Sequence, residues 1–181
     1  MLPINTVEIT RKLLNHFLTG NEICVDMTLG HGKDSLWILK QIPQGFLYGF
    51  DLQEKAIRSS AKLLSDFTNK RLIHDSHENV DKYIKEANLF IYNLGYLPGG
   101  DKTITTDKIT VYRSLKKAMD LLLPKGLIIM TFYPGHPSGK EEEMYLLKKI
   151  KEFDQKQWNC MKYDFINQKN NPPFVLVLEK L

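Results

Sequence analysis

Cysteine is scarce in this chain. Cys24 and Cys160 are the two present, far apart and in no metal-binding spacing. Cys24 sits in an apolar run, where a buried, reduced thiol is expected. There is no Cys cluster and no His-x-x-x-His pair, so no metal is expected. No apolar run approaches the roughly 18 residues of a membrane span. The segment Met1-Leu2-Pro3-Ile4-Asn5-Thr6 has neither the basic start nor the long apolar stretch of a signal peptide. A cytoplasmic protein without membrane contact is the expectation. Repeats, low-complexity tracts and linkers are missing, so the 181 residues are expected to form one domain, 1–181.

Charge of either sign is not in large excess: the net value is +4 at pH 7. Its distribution is uneven, because residues 1–90 balance and the basic excess lies in residues 91–181. Lys102, Lys108, Arg113, Lys116 and Lys117 follow one another there. They read either as the solvated face of a lysine-rich helix or as a docking site for a phosphate backbone.

What is present is an alternation of two hydrophobic periods. Helical stripes are predicted over 6–19, 34–41, 54–67, 107–123 and 139–153, with a shorter one at 80–84. Strands are predicted over 22–27, 46–50, 71–74, 88–93, 127–132, 158–166 and 174–178. Alternating strands and helices imply a mostly parallel sheet with helices on both faces. The last two strands have only a polar turn between them, so they form an antiparallel hairpin. This α/β, Rossmann-like arrangement, a seven-stranded sheet closed by a C-terminal hairpin, is the class I methyltransferase plan. NAD dehydrogenases run parallel through the sixth strand.

In such sheets ligands lie beyond the carboxyl ends of the strands. The first loop runs Asp26-Met27-Thr28-Leu29-Gly30-His31-Gly32-Lys33-Asp34. Gly30 and Gly32 permit positive φ and close backbone approach to a ligand, or simply a tight turn. Position 35 is serine, so the final glycine of G-x-G-x-x-G is lacking. Asp26 and Asp34 would repel phosphate and suit an ammonium group. S-adenosylmethionine fits that description better than a dinucleotide. Asp51 ends the second strand, 21 residues after Gly30, a spacing that suits an acceptor for ribose hydroxyls. Its other reading is a helix cap. Gln53 is close enough to line the adenosine site. In the third loop Asp75 and Ser76 can bind adenine or cap a helix, and His31 and His77 can line the pocket.

The fourth loop, Asn93-Leu94-Gly95-Tyr96-Leu97-Pro98-Gly99-Gly100-Asp101-Lys102, leaves the fourth strand where reacting groups are expected. Amino-group methyltransferases place an Asp or Asn here whose carbonyl orients the attacking amine; Asn93 holds that position. Tyr96 reads as a packing residue or a base-stacking one. Pro98 and Gly99 read as a turn or as substrate contacts. Tyr133-Pro134-Gly135-His136 leaves the fifth strand toward the same pocket. His136 can bind, take a proton, or serve the turn.

The three segments Val25–Asp34, Asn93–Lys102 and Tyr133–His136 together resemble the rRNA methylase family of bacteria, which includes wobble-uridine tRNA methyltransferases. The resemblance spans nearly the whole chain. It implies S-adenosylmethionine as donor and a tRNA anticodon stem-loop as substrate. The reaction it implies converts 5-aminomethyl-2-thiouridine to 5-methylaminomethyl-2-thiouridine, in a homodimer. On that basis Asp26, Thr28, Gly30, His31, Gly32, Asp34, Asp51, Gln53, Asp75, Ser76, His77 and Asn93 are expected at the cofactor. Asn93 would orient the amine, Tyr96 would contact the base, and Asp101 or His136 would help remove the proton. Pro98, Gly99, Lys102, Arg113, Lys116, Lys117 and Tyr133 complete the expected substrate contacts. An rRNA or small-molecule methyltransferase, or a non-catalytic RNA-binding module, are the competing readings.

Overall fold

A computed structural model of the chain describes residues 1–95 and 107–181. The elements run α1 (Thr6–Phe17), β1 (Ile23–Asp26), α2 (Lys33–Gln41), β2 (Phe46–Asp51), α3 (Glu54–Leu63) and β3 (Lys70–His74). A short 3-10 helix over His77–Lys82 leads to β4 (Ala87–Leu94). Then come α4 (Lys108–Leu121), β5 (Leu122–Phe132), α5 (Pro137–Ile150), β6 (Trp158–Tyr163) and β7 (Phe174–Lys180).

The strands form one sheet in the order β3-β2-β1-β4-β5-β7-β6. Neighbours among β1 to β5 pair in parallel, and β7 runs antiparallel between β5 and β6. The strand order reverses between β1 and β4, and such a switch point opens a crevice at the carboxyl edge.

Alternation along the inner strands sends neighbouring side chains to opposite faces. In β4, Phe90 and Tyr92 join one core, while Leu89 and Ile91 join the other. In β7, Phe174, Leu176 and Leu178 face the first core, and Val175 and Val177 the second. Val111, Leu115 and Ala118 of α4, with Leu146 and Ile150 of α5, cover the first face. Ile9 and Leu14 of α1, with Ile38 and Leu39 of α2, cover the second. Both faces are therefore packed mainly with apolar side chains, and the polar groups of interest gather at the carboxyl ends of the strands.

Several predicted boundaries shift by a few residues, and two of the shifts have a clear local cause. The third helix stops at Leu63 instead of reaching 67, because Leu64 leaves helical geometry as the C-cap and turns into the second core. Sequence spacing put a turn at Pro124-Lys125-Gly126 before a strand starting at 127. The fifth strand instead begins at Leu122, opposite Ala87, and the pairing resumes with Leu127 opposite Leu89. The turn chemistry survives as an irregularity within the strand, with Lys125 at φ +64°.

Candidate active site

A cleft of about 1210 Å³ opens at the carboxyl edge of the sheet. Its walls come from the loops after β1, β2, β3, β4 and β5, from the start of α1, and from the β6–β7 connection.

The loop after β1 is held by its own polar groups. Gly30 and Gly32 have φ of +52° and +75°. A Cβ on Gly32 would lie 2.8 Å from Ser60 Oγ, so the loop sits on α3 without room for a side chain. Ser60 Oγ donates to the Gly30 carbonyl at 2.9 Å. The Gly30 N–H donates to Asp51 Oδ2 at 2.8 Å, and Asp51 Oδ1 accepts from the Gln53 N–H at 2.8 Å. Asp51 thus ties the first loop to the second and still faces the cleft. The N-cap position of α3 belongs to Gln53, not Asp51.

Asp26 is 1% exposed and is not among the residues that line the cleft. Its Oδ2 accepts from Ser35 Oγ at 2.7 Å and its Oδ1 from the Thr28 N–H at 3.2 Å. Burial pushes its pKa up to about 7, the Ser35 bond opposes this, and the Asp34 charge adds to it. Its place is behind the loop, setting Thr28. Thr28 Oγ1 in turn accepts the Asn93 N–H at 2.7 Å.

Asn93 lines the cleft at the end of β4. Its Nδ2 donates to Asp34 Oδ2 at 2.9 Å. That bond spends a donor of the amide on the carboxylate and leaves Oδ1 as its acceptor atom. Asp34, Asn93 and Thr28 come from two loops that sequence reading treats separately, and the fold brings them together.

The third loop serves the chain first. Asp75 takes the Ser76 N–H, Asn79 Nδ2 and the Tyr83 hydroxyl, at 2.7, 2.9 and 2.9 Å. The Asn79 bond leads in holding its carboxyl below the ordinary range. Ser76 is the N-cap of the 3-10 helix and does not line the cleft. Asp75 and His77 do. His77 is 7% exposed, its ring edge-on to Tyr92, and burial lowers its pKa to about 4, so it is neutral at pH 7.

On the far side of the cleft, Tyr133 packs beside Gly95. Burial, then the Asp34 charge, raises the pKa of its phenol. A Cβ on Gly139 would fall 2.2 Å from the Tyr133 carbonyl, so only glycine lets α5 start so close to that loop. His136 is the N-cap of α5. Its Nδ1 meets the Gly139 N–H at 3.1 Å and Ser138 Oγ at 2.8 Å. With Nδ1 accepting from the backbone, the neutral ring carries its hydrogen on Nε2. The ring thus caps α5 while lining the cleft.

Thr28, Gly30, His31, Asp34, Asp51, Gln53, Asp75, His77, Asn93, Tyr133 and His136 therefore meet in one cleft. Asp26, Gly32 and Ser76 stand outside its lining. Arg113 and Lys116 are exposed on α4 away from it, and Lys117 is held by Asp81 at 2.8 Å. Tyr96, Pro98, Gly99, Asp101 and Lys102 lie outside the described residues. Sequence reading missed Thr6, Val7 and Thr10 of α1, Thr131 of β5, and Gln168 to Pro173, all of which line the cleft. No local motif marks them. Among the described residues no group of three metal-ligating side chains forms, and no helix is long and apolar enough to cross a membrane.

The profile of a protein family described as "Putative rRNA methylase" matches residues 47–179. The chain belongs to this family. An rRNA methylase-like protein from Clostridium thermocellum is 36% identical, with a TM-score of 0.96 and full coverage of both chains. A methyltransferase-like protein from Streptococcus mutans, solved with S-adenosylhomocysteine (SAH), is 31% identical. Its TM-score is 0.91, over 99% of this chain and 100% of that one. The chloroplastic tRNA (mnm(5)s(2)U34)-methyltransferase of Arabidopsis thaliana is 29% identical over 96% of this chain and 69% of that protein. Ribosomal RNA small subunit methyltransferase H 1 of Acholeplasma laidlawii is 37% identical, over 46% of this chain and 31% of that protein. The fold is that of the class I methyltransferases, and the chain is an RNA-methylase-type methyltransferase.

The site fits an adenosyl amino acid. A phosphate-free ligand with a cationic amino group is compatible with Asp34 and Asp51 on the cleft wall. The loop around Gly30 lets a ligand approach the backbone closely.

Proposed function

We propose that the protein N-methylates the exocyclic aminomethyl group of the wobble uridine in tRNA, with S-adenosylmethionine as donor. The donor, when bound, supplies a methyl group on a cationic sulfur that a neutral amine can attack. Asp51, Gln53 and the Gly30 loop would hold the adenosine half. Asp34 and Thr28 would lie toward the amino acid half.

The observation that carries the reading is Asn93. Its amide is turned by Asp34 and its backbone is held by Thr28, so the carbonyl is fixed as an acceptor at the end of β4. An amine that donates one N–H to that carbonyl has its lone pair oriented and its freedom removed before the reaction begins. Tyr133, on the same cleft wall, would pack beside the amine-bearing nucleotide. Tyr96 and Asp101 are proposed to contact the base and to receive the proton. The 29% identity to a wobble-uridine enzyme over 96% of this chain supports the substrate. A homodimer, which rests on the family resemblance, and a cytoplasmic location belong to the same proposal.

The partial matches to ribosomal RNA methyltransferases favour a second reading, methylation of ribosomal RNA. Incubation with tRNA from cells lacking the gene, followed by nucleoside mass spectrometry, separates them. The expected product is 5-methylaminomethyl-2-thiouridine at the expense of its unmethylated precursor. Methyl incorporation into ribosomal RNA, with tRNA unchanged, would overturn the proposal.

A further inference from the structure

The connection between β6 and β7 occupies residues 164–173, far more than the two residues that suffice for a hairpin. Its second half, from Gln168 to Pro173, lines the cleft. Asn170 and Asn171 take φ of +65° and +49°, which folds the turn back toward the loop after β5. A Cβ built on Gly135 would lie 3.9 and 4.0 Å from their two carbonyls. The segment is rich in side-chain amides: Asn167, Gln168, Asn170 and Asn171. Its cation, Lys169, is exposed, and its acid, Asp164, is held by Lys162 at 2.9 Å. Ile166 stands 98% exposed at the tip.

Three of the four basic residues of α4 are paired with acids, and the fourth, Lys116, is exposed on the helix away from the cleft. Lys117 is paired with Asp81, Arg113 with Glu78 at 3.5 Å, and Lys108 with Glu141 at 2.9 Å. None of them lines the cleft. Strand order also separates the two ends of the site. β7 stands three strand positions from β1, about 14 Å at the usual spacing. The turn therefore lies on the acceptor side, past Asn93 and Tyr133, and away from the Gly30 loop.

We infer that the 166–173 turn, rather than the basic face of α4, is the surface that receives the RNA strand next to the acceptor nucleotide. Lys169 meets a phosphate, the amides of Gln168, Asn170 and Asn171 read the edges of unpaired bases, and Ile166 packs on an exposed base or sugar. The inference rests on the RNA substrate proposed above.

The test uses the full chain and a fluorescent anticodon stem-loop RNA, with anisotropy measured at several salt concentrations. Lys169→Ala is expected to weaken binding about fivefold to tenfold and to reduce the log–log salt slope by about 1. Replacing Asn170 and Asn171 together by glycine keeps the left-handed backbone and removes the amides. It is expected to weaken RNA binding while SAH affinity, read by calorimetry, stays within about twofold. Unchanged RNA affinity and salt slope in both turn variants, with loss in Arg113→Ala or Lys116→Ala, would overturn the inference. The two failures are distinguishable. Wild-type protein that methylates no tRNA overturns the substrate proposal and the turn's role with it. Wild-type protein that methylates tRNA, beside turn variants that bind RNA equally well, overturns the turn's role alone.

Discussion

The loop after β1 is bonded on several sides: Gly30 to Asp51 at the end of β2, Gly30 to Ser60 of α3, and, at its base, Asp26 to Ser35 of α2. The loops after β4 and β5 and the β6–β7 turn share the same cleft but are held mainly by what lies behind them. Asn93 is held by Thr28 and Asp34 of the first loop, and the Tyr133 loop rests on the start of α5. The donor half is thus a preformed cradle. In the proposed reading, the acceptor half sets Asn93 on that cradle and presents the amides and exposed apolar groups of the β6–β7 turn to the RNA. A donor common to many enzymes can be held by fixed backbone, whereas an RNA must be met by a broader surface. The two halves join at one bond, Asp34 to Asn93.

Breaking the acceptor half should have the largest effect. Asn93→Ala is expected to lower single-turnover methyl transfer by roughly 10²–10³, the scale seen when one fixed polar group is removed from a reacting centre. SAH affinity should change little in calorimetry.

The next effect is in the cradle's foundation. The folded pKa of Asp26, about 7, lies above its ordinary carboxylate value of 3.8. Between those values the folded state binds the proton and the unfolded chain does not. Stability should therefore fall as pH rises from about 4 to about 7, by on the order of 3 kcal/mol. Chemical denaturation at pH 5 and pH 8 measures the slope. In Asp26→Asn the part of that slope due to Asp26 should vanish.

Asp51→Ala comes third. It removes an acceptor for ligand hydroxyls and the tie to Gly30, and is expected to weaken SAH binding by roughly 10–100-fold, the scale of one or two charged hydrogen bonds. The smallest expected effect is Gly32→Ala. A left-handed backbone and the Ser60 contact should cost about 1–2 kcal/mol, read as a melting temperature lower by roughly 2–8 °C.

The donor half was the more legible in sequence, and the reason is local. Gly30, Gly32, Asp34 and Asp51 sit at strand ends whose apolar runs are readable, and a strand end in this fold is already at the cleft. Side-chain chemistry alone could not divide ligand from cap. Asp75 and Ser76 have the same residue types in either role, and only their bonds to Asn79, Tyr83 and Glu78 decide it. Asp26 follows a related logic: it is the last residue of β1, yet its carboxylate turns to Ser35 and is buried. Thr6, Val7, Thr10 and Gln168 to Pro173 were not legible at all. They reach the cleft because α1 packs on β7 and β7 inserts between β5 and β6. That order depends on distant pairings and leaves no periodic mark in the chain.

The division of labour between the halves is tested most directly by single-turnover methyl transfer to tRNA across a range of S-adenosylmethionine concentrations. Asp51→Ala is expected to recover most of the wild-type rate when the donor is saturating, because its defect is in holding the donor. Asn93→Ala is expected to stay slow at every concentration. Recovery of Asn93→Ala at high donor, or a failure of Asp51→Ala to recover, would contradict the account.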